Sequence, residues 1–460
     1  MATTPPRGAP RVLRFAFDVQ CPYAYLASKR VRALAADASP PAQLDWYPVL
    51  LGGLYAATKA PQGKDGSATD LMAAAKRAIN AQDLAREAAR WRVPLRYNSR
   101  HPVKSVRAQR LLVSVREQAA RARLTDALYD AYGQRDEDVG DDAVLLRAAM
   151  AASVAGIRTL QDVARAVESP LAKEELRANT DWASAHGAFG VPAFWVLGPG
   201  AAADAADERV FFGQDRTFFV ARAAGVPSSH PLASPLRLTR TTPGDGAGKR
   251  LEFFHDFSSP WSYLGFTQIE RVAREHGAEL VLRPILLGAV FKSIGTANVP
   301  MFEMSEAKRS YMARDLEDWK RWWGGVALQF PDAFPVRTVA PLRVAIAEPR
   351  VTGAVYRAAW TQNQDIGDAH VLSRVLSQAG FDGPGLVARA ASDAALKDAL
   401  VANTSEAVKR GLCGVPTFSV NGGALVWGQD RIASVVEDEL SSARHGAAVH
   451  EAGEERGARL

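Results

Sequence analysis

The chain has 460 residues, 47% of them apolar and 23% charged, and a formal net charge of +6, enough for two or three ordinary domains. Its basic residues are interleaved with acids, so we expect solvated helix faces and no nucleic-acid footprint. The opening "MATTPPRGAP" has no signal-peptide core and no run reaches membrane-helix length, so a soluble, cytoplasmic protein is expected; two cysteines and eight scattered histidines give neither a disulfide framework nor a metal site.

In chain order, a first strand leads into "FDVQCPYAYLAS" (17–28), where the helix "CPYAYLASKRVRALAAD" begins. A second strand runs into "YPVLLGGLY" (47–55), and a long helical stretch contains "YDAYGQRDEDVGD" (129–141). "LRANTDWASAHGAFGVPAFWV" (176–196) and "FFGQDR" (211–216) close the series. The same series then recurs. The strand "LEFFHDF" (251–257) precedes a helix starting "SPWSYLGF", with Pro260 in its first turn and Gly277 at its end. "RPILLGAVF" (283–291), "YRAAWTQNQDIGD" (356–368), "LVANTSEAVKRGLCGVPTFSV" (400–420) and "VWGQDR" (426–431) keep the order. Each copy is far longer than a solenoid repeat. We therefore expect a domain over 11–224, a Pro/Gly/Ser/Thr-rich linker over 225–249, a second domain over 250–442, and a flexible tail over 443–460. The order within each copy is β-α-β, a helical insert, then β-β-α.

That order, with Val-Pro just ahead of the third strand, is the thioredoxin plan. The fold class expected is α/β: two tandem thioredoxin-like domains, each with a large helical insertion. Ser-Pro-x-Ser-Tyr-Leu, Gly-Val-Pro-x-Phe and Trp-Gly-Gln-Asp-Arg in this sequence resemble the 2-hydroxychromene-2-carboxylate isomerases. Those enzymes are glutathione-dependent and close to the kappa-class glutathione transferases. A more distant resemblance is to bacterial disulfide oxidoreductases with a helical insert.

The residue ahead of the helix proline is Cys21 in the first copy and Ser259 in the second. Unpaired N–H groups and partial positive charge at a helix start stabilise a thiolate there. The resemblance implies that the Ser259 hydroxyl serves the thiolate of bound glutathione; the residue type alone suits a plain N-cap equally. Cys21 is a candidate thiol nucleophile without a resolving partner, because Ala24 stands two residues past the proline. It is equally a small substitute for serine in a degenerate copy. Cys413 is expected to be a buried small residue.

The resemblance implies that Val415 and Pro416, and in the first copy Val191 and Pro192, form a cis-proline loop pairing with the glutathione backbone. Gly428, Gln429, Asp430 and Arg431, with Gly213, Gln214, Asp215 and Arg216, are expected either to bind the γ-glutamyl end or to make a capping turn. Lys292 and Asn298 fit family substrate positions in the second copy; Asn98 fits one in the first, where Ala56 replaces the lysine. Tyr311, Trp319, Trp322 and Trp323 would wall a flat aromatic pocket or pack as core.

The resemblance implies a glutathione-dependent isomerase of an aromatic or conjugated carbonyl compound, working by reversible thiolate addition. The alternatives are a thiol-disulfide oxidoreductase or glutathione transferase, and a non-catalytic duplicated binding protein. The expected partners are glutathione and a small aromatic substrate, with no membrane and an internal pseudo-dimer as one arrangement.

Overall fold

The computed structural model of the chain describes residues 11–63, 66–198, 209–235 and 247–442. The expected tail and the middle of the expected linker lie outside these. Two compact units result. Unit 1 comprises Met1–Met72, Gln82–Leu236 and Met304–Tyr311; unit 2 comprises Ala73–Ala81, Arg237–Glu303 and Met312–Leu460.

In unit 1, β1 (Val12–Phe17), α1 (Pro22–Ala36) and β2 (Gln43–Pro48) open the fold, followed by α2 (Leu51–Ala57). The insert holds α3 (Ala74–Arg90), whose first turns belong to unit 2, then α4 (Val106–Ser114), α5 (Gln118–Gly133), α6 (Asp142–Ala151), α7 (Leu160–Glu168) and α8 (Pro170–Ala185). β3 (Ala193–Leu197), β4 (Phe211–Phe212) and α9 (Thr217–Ala223) close it. The sheet order is β2-β1-β3-β4. β1 runs parallel to β2, with Phe15 opposite Trp46, and antiparallel to β3, with Phe15 also opposite Phe194. A parallel pair needs a crossover, which α1 supplies. Phe15, Phe17 and Phe194 are fully buried.

Unit 2 repeats the design with β5 (Arg250–His255), α10 (Pro260–His276), β6 (Glu279–Pro284) and α11 (Leu287–Ser293). Its insert holds α12 (Glu306–Trp322), whose first residues belong to unit 1, then α13 (Val339–Ala347), α14 (Thr352–Trp360), α15 (Ala369–Gln378), α16 (Gly383–Ser392) and α17 (Ala394–Lys409). β7 (Thr417–Val420) and β8 (Val426–Trp427) complete a sheet of order β6-β5-β7-β8. Pro260 starts α10 with its φ already helical, and Gly277, at φ 71°, ends it in the left-handed conformation.

The final helix differs from expectation. Gln429–Arg431 is a single 3₁₀ turn, followed by a π-helical turn at Ile432–Val436 and a short α18 (Glu437–Ser441). Gly428 lies at φ 105° ahead of it, a conformation glycine adopts without a Cβ penalty. The start of the expected linker is packed: Arg222 Nε donates to Ala233 O at 2.9 Å, and Ala233 is fully buried.

Candidate functional site

Each unit brings the start of its first long helix against its Val-Pro loop. In unit 2, Ser259 is the N-cap of α10: its Oγ accepts from Ser262 N at 3.2 Å and donates to Val415 O at 3.3 Å. The Val415–Pro416 bond is cis, and no group among the described residues accepts the Val415 N–H. Ser259 is 6% exposed, so a ligand atom reaches it only by taking the place of the Val415 carbonyl as acceptor. In unit 1 the Val191–Pro192 bond is likewise cis, and Cys21 Sγ donates to Val191 O at 3.3 Å. The capping role and the proximity to the Val-Pro loop therefore coexist at the same atom of Ser259.

A buried carboxyl braces each slot. Asp256 accepts from Ser258 N at 3.0 Å and from Leu287 N at 2.8 Å, tying the loop before α10 to the start of α11. Asp18 does the same for α2 through Leu51 N at 2.9 Å. Burial raises both carboxyls above the usual range, partly offset by these backbone donors. Thr404 Oγ1 and Thr180 Oγ1 accept from the neighbouring Leu286 N and Leu50 N, each at 3.0 Å.

The Cys21 slot differs electrostatically from the thiolate expectation. Burial pushes the Cys21 thiol up to about 12, with a further rise from Asp18, against smaller opposing effects of the Ala24 and Tyr23 N–H groups. A neutral thiol donating to a carbonyl is therefore the resting state, and the helix start does not activate it. Cys413 is 4% exposed within the core formed by Phe254, Ile285 and Val415, and burial pushes its thiol up to about 11.

Several expected ligands face inward. Gln429 is 2% exposed and accepts from Trp323 Nε1 at 2.5 Å. Gln214, equally buried, accepts from Arg30 Nη2 and donates to Glu87 Oε2 at 3.1 Å. In both glutamines the amide oxygen is engaged within the fold. Asp430 pairs with Arg431 at 3.0 Å, and Asp215 with Arg216 at 3.0 Å. The 3₁₀ turn Gln429–Arg431 opens a short helical run that continues through Ile432–Val436 to Ser441.

Asn98 is a scaffold residue. It is 3% exposed, donates to Tyr132 O at 2.9 Å and Glu137 O at 3.0 Å, and accepts from Arg100 N at 2.9 Å. Trp319 is fully buried and stacks on Trp323 at 5.9 Å, so it is core and not a pocket wall. Tyr311 falls in unit 1, where its hydroxyl donates to Phe212 O at 3.0 Å and its ring lies 5.5 Å from Phe189. Lys292, on the last turn of α11, and Asn298, beyond it, are both exposed in unit 2.

Sequence reasoning missed an aromatic wall in unit 2. Phe302 and Phe330 are 61% and 43% exposed, and both meet Phe334 edge to face, at 6.2 and 5.4 Å. Phe330 and Phe334 also lie against Trp360, whose Nε1 donates to Phe257 O at 2.7 Å, two residues before Ser259. The signal was present as "QFPDAF" and "MFEM", two aromatic-bearing loops with no periodicity to draw attention to them.

The chain is 30% identical over 189 residues to 2-hydroxychromene-2-carboxylate isomerase of Sphingobium xenophagum, spanning 40% of this chain and 94% of that protein. It is 26% identical over 186 residues to the protein of the same name from Pseudomonas putida, spanning 40% and 90%. It is 22% identical over 207 residues to glutathione s-transferase kappa 2 of Caenorhabditis elegans, spanning 41% and 91%. The model of the DSBA-like thioredoxin domain matches twice, over residues 12–225 and 250–438. With both sheets and both cis-proline loops in place, the chain belongs to that family and carries its domain in tandem.

Proposed function

We propose that unit 2 is a glutathione-dependent isomerase acting on an aromatic or other conjugated carbonyl compound. The observation that carries this is the Ser259 hydroxyl, held at the start of α10 by Ser262 N and set against Val415 beside cis-Pro416. The names of the isomerase and kappa-class relatives support the reaction class and the thiol.

The site's chemistry fits the cofactor. The Val415 N–H is a backbone donor at the loop edge, suited to an extended tripeptide. When bound, glutathione would supply a thiolate for reversible addition to the conjugated double bond. Ser259 keeps accepting from Ser262 N and turns its proton from Val415 O towards the sulfur, a charge-assisted bond stronger than the one it gives up. Asp256 fixes the loop carrying Ser259 relative to α11, and Lys292 on that helix is the cation assigned to the carbonyl side. Phe302, Phe330 and Phe334 provide an apolar aromatic surface for the ring. Unit 1 is read as lacking this activity, because Cys21 is a neutral thiol at its slot.

Calorimetric titration of the full chain with glutathione tests the reading. One equivalent should bind, and millimolar glutathione should raise the melting temperature of wild type. Absence of both binding heat and thermal shift refutes it.

A further inference from the structure

Unit 1 holds a hydrogen-bonded chain that the thiol chemistry does not use. Ser67 Oγ lies 3.0 Å from His101 Nε2, and His101 Nδ1 lies 2.6 Å from Tyr132 OH. Ser67 is 8% and Tyr132 4% exposed, while Tyr97, 36% exposed, meets the imidazole edge to face at 5.1 Å. The second copy has Phe334 where His101 stands, each followed by a cis proline, and Ala359 where Tyr132 stands. The polar chain is therefore particular to the first copy.

The arrangement has the parts of an activated hydroxyl: a nucleophile within hydrogen-bond reach of a base, and the base oriented by a third group. Thr69 N–H donates to Ser67 Oγ at 3.3 Å, a donor to an oxygen that gains negative charge on losing its proton, and the Thr69 hydroxyl lies 2.7 Å from the same atom, where either oxygen is able to donate. Asp70 accepts from Ser67 N at 2.9 Å and holds the serine backbone. Burial lowers the His101 pKa, with the Asp70 carboxylate opposing, so the imidazole is neutral at pH 7 and available to take a proton.

We propose that Ser67 is a nucleophilic serine, with His101 as its base and Tyr132 positioning the imidazole, at a site that accepts small acyl groups from esters or thioesters. The Ser67 Oγ bonds to the acyl carbon while its proton passes to His101 Nε2. The bond from that carbon to the leaving oxygen or sulfur breaks, and the leaving group takes the proton from His101. Water then enters by the same route in reverse, releasing the acid and restoring Ser67. This site is independent of the glutathione reading.

The probe is a small alkyl fluorophosphonate, added to the full chain at pH 7.5 and followed by intact mass and peptide mapping. The Ser67 oxygen would bond to phosphorus as fluoride leaves. We expect one adduct, on the Ser67 peptide, absent in Ser67→Ala and formed about 100-fold more slowly in His101→Phe. Tyr132→Phe should slow labelling while leaving the circular dichroism spectrum unchanged. Failure of folded wild type to carry an adduct on Ser67, or labelling of His101→Phe at the wild-type rate, overturns the proposal and leaves the chain of hydrogen bonds as a loop tether.

Discussion

His255→Phe isolates the cost of an ionisable ring inside the second sheet. His255 is fully buried; Nδ1 sits 3.2 Å from Tyr356 OH, and Nε2 has no hydrogen-bond partner among the described residues. The ring stacks on Phe253 at 5.3 Å, as Phe17, the first-copy counterpart, stacks on Phe15 at 5.2 Å. Burial lowers the His255 pKa to about 3, while an unfolded histidine titrates near 6.5. Between those values the unfolded chain binds the extra proton, so stability rises with pH across the window and falls on acidification. At pH 5 the linkage amounts to about 2 kcal/mol relative to pH 8. Asp256 and Asp18, raised by burial, act in the opposite sense but are present in both proteins, so they cancel in the comparison. For a unit of this size, about 2 kcal/mol corresponds to roughly 4–8 °C in Tm. The assay is thermal unfolding of wild type and His255→Phe at pH 5 and pH 8. The variant should gain several degrees more at pH 5 than at pH 8. A gain independent of pH refutes the premise that the folded ring stays neutral.

Glu87→Ala should destabilise unit 1 by about 3 kcal/mol in urea unfolding, because the buried Arg90 at 3.5 Å and nearby buried Arg30 each lose one carboxylate and Gln214 Nε2 loses its acceptor. Ser259→Ala should cost about 1 kcal/mol of stability through the lost cap and lower glutathione-dependent turnover by about 10- to 100-fold, read by urea unfolding and steady-state kinetics. Cys21 should react with iodoacetamide at pH 7.5 more slowly than free cysteine, since its thiol is pushed up to about 12; mass spectrometry over time checks this. Asn98→Ala should lose about 2–3 kcal/mol of stability yet leave glutathione binding heat unchanged, separating scaffold from ligand site.

The repeats and the order of elements were legible because duplicated motifs recur in the same sequence, and the cis-proline loops followed from the family resemblance those motifs carry. The partners of buried polar groups were not. Gln429 looked like a ligand because its neighbours are polar and its motif recurs, but its amide is taken by Trp323 from the insert. In the first copy the same position meets Arg30 and Glu87, with Arg30 also 4.0 Å over Trp91. The second copy replaces this set with Gln268 and Trp319, keeping Trp323. Such compensations involve helices far apart in sequence, and no local period reports them. Asn98 misled for a related reason: its residue type fits a substrate contact, yet three backbone groups saturate it. The aromatic wall was hidden because loop residues carry no repeat spacing.

In both units the side chain ahead of the helix proline is already engaged: Ser259 with the carbonyl of Val415, Cys21 with that of Val191. A newcomer must outcompete an internal acceptor. A neutral thiol is a poorer acceptor than a peptide oxygen and would be turned away, whereas an ionised one is better and would be admitted. On the proposed glutathione reading, the resting contact would favour an ionised sulfur over a neutral one through a single bond.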